Sequence, residues 1–157
     1  MKRLVSSIFL ASAMSFPAVA DDVFQFSTSE DFQEKLEEDY GERELTFLTD
    51  EIREDVTREL GKVGISPARI EVTILDAKPN RPTFEQLGAN GLSFQSFGIG
   101  GMDLKAIVYD NTGKVLGELE YDWFEFDIRQ ARTQSTWGDA RRASNRFARK
   151  LAKELTS

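Results

Sequence analysis

Three carboxylates at alternate positions, Glu118, Glu120 and Asp122, have the residue type and spacing best suited to chemistry in this chain. On a strand, residues two apart point to the same side of the sheet, so these side chains form a row. Such a row can bind a hard cation such as calcium, and a facing pair of carboxylates can hydrolyse a glycosidic bond. The row lacks the turn glycine and ligand spacing of a calcium loop. We therefore interpret it as the solvated outer face of an antiparallel sheet, and whether it binds a cation is left open.

The sequence contains neither histidine nor cysteine. Catalytic triads that use histidine, thiol nucleophiles, iron–sulfur clusters and the usual zinc sites are thereby excluded. Only carboxylate, lysine, tyrosine or hydroxyl chemistry is left. We therefore predict that the protein is not an enzyme and carries no cofactor. The alternative is a small carboxylate-dependent domain that binds or hydrolyses glycans.

A glycine-rich segment, Gly98–Gly101, precedes a predicted strand. Phosphate-binding loops lead instead from a strand into a helix, whose N-terminal amides hold the phosphate. We therefore expect no nucleotide site here and interpret the glycines as a bulge or a close crossing of two backbones.

Aromatic residues are concentrated between positions 84 and 137. Trp123 has the strand parity of the predicted core residues, whereas Phe124 and Phe126 have the opposite parity. We expect these two phenylalanines to lie under the loop formed by residues 78–97; the alternative is an exposed contact surface. The candidate interaction residues are Phe124, Phe126, Phe94, Phe97 and Arg81.

The first twenty residues have the order typical of a secretory signal peptide. A basic start, Lys2-Arg3, is followed by an apolar run and by the small-residue ending Ala18-Val19-Ala20. We predict a signal peptide over residues 1–20, cleavage after Ala20, and a single periplasmic domain over residues 21–157. The apolar run is too short to span a membrane. Because no cysteine follows it, we expect no lipid anchor.

Charge is distributed unevenly along the chain. The formal net charge is −7, and loss of Lys2 and Arg3 with the signal peptide takes it to −9. An acidic domain repels phosphate backbones, so we expect no nucleic-acid partner. Residues 21–60 carry a net charge of −11 and residues 128–157 a net charge of +6. We interpret these segments as solvated helix faces that lie near each other; the alternative is an acidic surface that docks a basic partner.

The first half of the predicted domain alternates strands and helices. Residues 23–26 are a short strand or an arm. Apolar residues recur every four positions in residues 28–40 and 50–63, which predicts two amphipathic helices. Residues 44–47 and 68–77 are predicted to be strands.

A β-hairpin within residues 101–127 is the clearest local signal. Its turn, Asp110-Asn111-Thr112-Gly113, has typical turn chemistry, and apolar residues alternate on both sides of it. A register that places Leu104 opposite Leu119 also places Lys105 opposite Glu118, a favourable charge pair. We predict that register.

Two Thr-x-x-Asp sequences, beginning at Thr28 and Thr136, are predicted capping boxes at helix N-termini. The second opens a helix over residues 137–155, which has a buried stripe of alanine, phenylalanine and leucine and basic residues elsewhere. Together these elements predict an α+β fold, a small and mainly antiparallel sheet with helices packed on one face.

Three segments form a recognisable combination: Gly100–Leu104 opening a strand, Tyr109–Gly117 at the hairpin, and Trp137–Ala140 leading to Phe147–Leu151. Together they resemble a family of bacterial cell-envelope proteins of unknown function, many of them lipoproteins. The resemblance spans roughly residues 46–155 and implies a small sheet backed by helices. The chain departs from the lipoprotein members because it lacks their anchoring cysteine, and no catalytic residue follows from the resemblance.

We therefore expect a non-catalytic exported protein, a protein-interaction or envelope-maintenance module whose partner is another envelope protein. This expectation depends on the predicted export, on the absence of histidine and cysteine, and on the uneven charge and aromatic content.

Overall fold

The computed structural model describes residues 23–89 and 91–157. The predicted signal peptide and the cleavage position after Ala20 lie outside this range. Within it, a π-helical turn, Leu36–Tyr40, continues the first helix. The strands and α-helices in chain order are β1 (Phe24–Thr28), α1 (Glu30–Lys35), α2 (Arg43–Lys62), β2 (Arg69–Lys78), α3 (Phe84–Ala89), β3 (Gly101–Tyr109), β4 (Val115–Phe124), α4 (Ile128–Ala131) and α5 (Gly138–Glu154).

The four strands form one sheet in the order β1-β2-β3-β4. β1 runs parallel to β2, and the other two neighbouring pairs are antiparallel. Parallel neighbours need a long crossover, which α1 and α2 provide here. The predicted α+β fold with a mainly antiparallel sheet is confirmed.

Helices cover one face of this sheet. Ile70, Val72 and Ile74 of β2 are fully buried, whereas the alternate residues Glu71 and Thr73 are half-buried. α5 packs on β3 and β4 and also against α2. Its side chains join those of α2 and the strands in a single core. The other face of the sheet is open to solvent.

The acidic and basic segments of the chain lie side by side, as predicted. α2 belongs to the acidic segment and packs against α5 in the basic one. Arg141 of α5 and Glu51 of α2 form an ion pair at 2.9 Å. No helix in the described ranges is both long and apolar enough to cross a membrane.

The predicted strand over residues 44–47 is wrong, because these residues belong to α2. Thr46 and Phe47 have a preference for strands. Leu48, however, continues the four-residue apolar spacing of Ile52 and Val56, and all three are buried in the core. Burial of this continuous stripe overrides the local preference.

Neither predicted capping box forms. Ser29 caps α1 by accepting a hydrogen bond from the Phe32 amide at 3.1 Å, while Thr28 ends β1. α5 begins after Trp137 without a side-chain cap. Asp139 is unavailable for capping because its carboxylate binds groups from distant loops.

The predicted hairpin register is also wrong. β3 and β4 pair Leu104 with Tyr121 and Lys105 with Glu120, two residues further along β4 than expected. A shift of two leaves every side chain on its predicted face. Lys105 also keeps its ion pair with Glu118, at 2.9 Å across a diagonal.

The turn chemistry explains the shift. The Asp110 carboxylate accepts hydrogen bonds from the amides of Thr112 at 2.8 Å and Lys114 at 3.0 Å. Lys114 is thereby held in the loop and not in the strand. A bulge between Val108 and Tyr109 completes the change of register.

Candidate functional site

The predicted acidic row lies on the open face of the sheet. Glu118, Glu120 and Asp122 are exposed on β4, and Asp103 of β3 is directly opposite Asp122. Among the residues that the structure describes, no group of three or more acidic side chains is arranged to hold a metal ion. The row has the exposure expected of a solvated outer face.

Asp103 is the carboxylate of this face whose ionisation is disfavoured. Burial raises its pKa above the usual value, and the carboxylates of Asp122, Glu120 and Asp76 raise it further. Its Oδ1 atom is inaccessible and has no hydrogen-bond partner within the described residues. Ionisation of Asp103 therefore costs the folded state stability.

We expect Asp103→Asn to raise the free energy of unfolding at pH 7 by about 0.5 kcal/mol, since like charges opposite each other on a sheet are destabilising. Because the pKa is raised, the gain is present at neutral pH and disappears as the pH falls through the pKa of Asp103. Urea unfolding at a series of pH values measures it. Glu118→Gln is the control, because it breaks the ion pair with Lys105 and gives no gain. Equal stabilisation by both variants would contradict this account.

A groove of about 730 Å³ opens where the N-terminal ends of α2 and α5 meet the segment around α3. We call it the aromatic groove. Its lining residues are Arg43, Glu44, Phe47, Arg81, Pro82, Thr83, Phe84, Leu87, Phe94, Gln134, Ser135, Thr136, Trp137 and Arg141.

Three exposed phenylalanines contribute apolar surface to the aromatic groove. Phe84 is 70% exposed and Phe94 is 76% exposed, and Phe47 is also exposed. Arg43 and Phe47 lie four residues apart on α2 and so share a face of the helix. The Arg43 guanidinium lies over the Phe84 ring, 5.8 Å from its centre. Several large apolar side chains thus face solvent together.

Trp137 forms the buried base of the groove. Its indole Nε1 donates a hydrogen bond to Glu44 Oε2 at 2.7 Å, and its ring meets Tyr40 edge to face at 5.8 Å. Burial raises the pKa of Tyr40 to about 12, with smaller effects from Asp76 and Asp39. The Tyr40 phenol is therefore neutral at physiological pH. Glu44 is the single carboxylate of the lining, and one of its oxygens is already hydrogen-bonded.

Arg81 connects two walls of the groove. Its guanidinium donates hydrogen bonds to the backbone carbonyls of Gln134 at 3.1 Å, Arg132 at 2.5 Å and Phe94 at 3.4 Å. The guanidinium also lies over the Phe97 ring at 5.7 Å. Arg81 thus fixes the walls, because its donors are bound to backbone.

A buried pair, Asn80 and Asp139, holds the segment that follows β2 against the start of α5. Asp139 is fully buried and Asn80 almost so. The Asn80 amide donates to the Asp139 carboxylate and to the Gly98 carbonyl, and the Asp139 backbone amide donates to Asn80 Oδ1 at 2.8 Å. The Gly100 amide also donates to Asp139. These hydrogen bonds position Trp137, which immediately precedes α5.

At the glycine-rich segment, two backbones cross closely. This is one of the two interpretations that the sequence offers. A Cβ atom added to Gly100 would lie 2.6 Å from the Lys78 carbonyl oxygen. Gly101 has similarly little room beside Trp123 and Phe124.

The predicted interaction residues divide into two groups. Phe94 and Arg81 line the aromatic groove, and Phe97 lines a neighbouring cavity of about 180 Å³. Phe124 is half-buried, and Phe126 is 90% exposed. Neither of these two lines the groove or the neighbouring cavity.

The expected position of Phe126 under the 78–97 loop is therefore wrong. β4 ends at Phe124, and the buried Glu125 carboxylate accepts hydrogen bonds from the amides of Phe126 and Asp127. This turn ends the strand alternation before Phe126, so parity no longer determines where its side chain points.

The sequence pattern does not identify the residues at the N-terminal end of α2 as part of the candidate site. Because residues 44–47 are predicted to be a strand, the sequence does not indicate Arg43, Glu44 and Phe47 as candidates. The available signal was Leu48, which extends the apolar spacing of α2 toward its N-terminus. A helix through this segment places Arg43 and Phe47 on one face.

Comparison with known proteins gives no match to this chain, whether to a family model, to a curated protein or to a solved structure. The resemblance to bacterial envelope proteins stays a prediction.

Proposed function

We propose that this protein is a non-catalytic, exported binding module of the cell envelope that contacts another envelope protein through the aromatic groove. The observation that carries the proposal is the exposure of Phe47, Phe84 and Phe94 around one concave surface beside the Arg43 guanidinium. Aromatic residues, phenylalanine among them, and arginine are enriched at protein interfaces relative to the rest of the surface.

The size and rigidity of the groove support this proposal. Its volume of about 730 Å³ lies within the usual range of ligand sites, roughly 300–1,000 Å³. Arg81 and the Asn80–Asp139 pair fix its walls through hydrogen bonds to backbone groups. A preformed surface binds with a smaller loss of conformational entropy than a mobile one.

The arrangement of carboxylates favours binding over glycan hydrolysis. Glycoside hydrolysis in its usual form needs two carboxyl groups that flank the scissile bond. Glu44 is the single carboxylate in the groove lining, and it accepts a hydrogen bond from Trp137. Glu118, Glu120 and Asp122 lie instead on the open face of the sheet.

Photo-crosslinking in intact cells tests the proposal. The protein is produced with its signal peptide and carries benzoylphenylalanine in place of Phe84 or Phe94. Leu116, which is exposed on β4 outside the groove, is the control position. We expect one reproducible protein adduct from both groove positions and none from position 116. Phe47→Ser in the same chain weakens the adduct, because it removes part of the apolar surface.

Two outcomes would contradict the proposal. One is the same adduct pattern from position 116 as from positions 84 and 94. The other is an adduct that Phe47→Ser leaves unchanged, since the partner would then not depend on the groove.

A further inference from the structure

We infer that the partner enters the aromatic groove as a short polypeptide segment that presents a carboxylate beside an aromatic or large aliphatic side chain. The inference rests on the proposed function and adds the chemistry of the segment that is recognised. It follows from the charge, the apolar surface and the unused hydrogen-bonding groups of the lining.

The charge of the lining selects a carboxylate. The groove holds three guanidinium groups and one carboxylate, although the whole chain has a net charge of −7. Arg81 donates to backbone carbonyls, and Arg141 is ion-paired with Glu51. Arg43 is exposed and has no carboxylate within ion-pair distance among the described residues. It is therefore the guanidinium that an incoming anion can use.

Because Arg43 lies beside Phe84, we expect the recognised carboxylate to have an apolar neighbour in the same partner segment. A guanidinium that lies over an aromatic ring keeps the donors at its edge free for a carboxylate. The Arg43 guanidinium lies 5.8 Å from the centre of the Phe84 ring. Consecutive Cα atoms in a chain are about 3.8 Å apart, so neighbouring side chains of one segment can reach both groups. One then pairs with Arg43 while the other packs on Phe84.

Another part of the lining offers hydrogen-bonding groups to a polypeptide backbone. Ser135 and Thr136 line the groove, and their hydroxyls make no hydrogen bond within residues 23–89 and 91–157. Hydroxyls both donate and accept, which suits the amide and carbonyl groups of a polypeptide backbone.

The surroundings of the groove disfavour an anionic membrane. Four exposed acidic residues precede Arg43 in the chain: Glu37, Glu38, Asp39 and Glu42. Membrane-surface binding uses clusters of several basic residues, whereas this rim repels anionic headgroups. The same rim favours neutral or basic residues on either side of the recognised carboxylate.

The test measures fluorescence anisotropy of three labelled peptides with the purified protein at low ionic strength. Their central sequences are Phe-Asp-Phe, Phe-Asn-Phe and Ser-Asp-Ser, each with the same glycine and serine flanks. We expect Phe-Asp-Phe to bind about three- to five-fold more tightly than Phe-Asn-Phe, as an exposed ion pair allows. Ser-Asp-Ser is expected to bind most weakly, because it cannot pack on the phenylalanines.

Arg43→Gln is expected to abolish the preference for aspartate over asparagine. Arg149→Gln is the matched control, because Arg149 is exposed on α5 outside the groove and its removal lowers the net charge equally. We expect this control to keep the preference. The preference also shrinks at high salt, since exposed ion pairs are screened.

Three results would overturn the inference. Equal affinity for the aspartate and asparagine peptides would do so, as would a preference that survives Arg43→Gln. The third is absence of peptide binding at millimolar concentration, including the case in which phosphatidylglycerol vesicles bind instead. If positions 84 and 94 still give groove-specific crosslinks, each of these three results overturns the inference and leaves the proposed function intact. If those crosslinks are absent, the proposed function itself fails.

Discussion

Asn80→Ala is expected to lower the free energy of unfolding by about 3 kcal/mol and Tm by about 10 °C. The substitution removes three hydrogen bonds, two donated by the Asn80 amide and one accepted by Oδ1. It also leaves the fully buried Asp139 carboxylate without its side-chain amide donor. A buried charge that loses a partner is costly, so the effect exceeds that of an ordinary hydrogen bond.

Urea unfolding followed by circular dichroism measures this effect. Asn111→Ala is the control, because Asn111 is exposed in the hairpin loop and its loss is expected to change stability by less than about 0.5 kcal/mol. If the two alanine variants were equally stable, the Asn80–Asp139 pair would have no part in fixing the groove.

Trp137→Ala is expected to cost about 4 kcal/mol, the usual scale for removing a large buried aromatic side chain. Trp137 is buried beneath the groove, where its ring packs against Tyr40 and its indole donates to Glu44. Trp137→Phe separates these contributions, since it keeps most of the packing and loses the hydrogen bond at a cost of about 1–2 kcal/mol.

Trp123→Ala is the comparison for Trp137→Ala. Trp123 is half-buried on the edge strand β4, with Arg146 over its ring at 4.5 Å. Its removal therefore leaves a smaller cavity and is expected to cost less than removal of Trp137. A larger loss from Trp123→Ala would contradict the assignment of Trp137 as the base of the groove.

The sheet was predictable from the sequence because its signals are local and periodic. Ile70, Val72 and Ile74 alternate with polar residues, which indicates a strand with one buried face. Likewise, the four-residue spacing of Ala143, Phe147 and Leu151 indicated α5. In both cases neighbours in sequence determine which side chains are buried.

The groove was less predictable because its geometry depends on contacts between distant residues. Asp139 has the spacing of a capping residue, yet it binds Asn80, which lies 59 positions earlier in the chain. Arg81 was a candidate for partner contact, yet its donors bind the backbone of residues 94, 132 and 134. No local pattern distinguishes an arginine that binds backbone carbonyls from one that faces a ligand.

The two tryptophans allow the central claim, that the aromatic groove is the binding surface, to be tested directly. The sequence contains two tryptophans; Trp137 lines the groove and Trp123 lies outside it. A ¹H–¹⁵N spectrum therefore contains one indole signal from each site. On titration with the Phe-Asp-Phe peptide, we predict that the Trp137 signal moves while the Trp123 signal stays in place. Movement of the Trp123 signal alone, or of neither signal at saturating peptide, would contradict the claim.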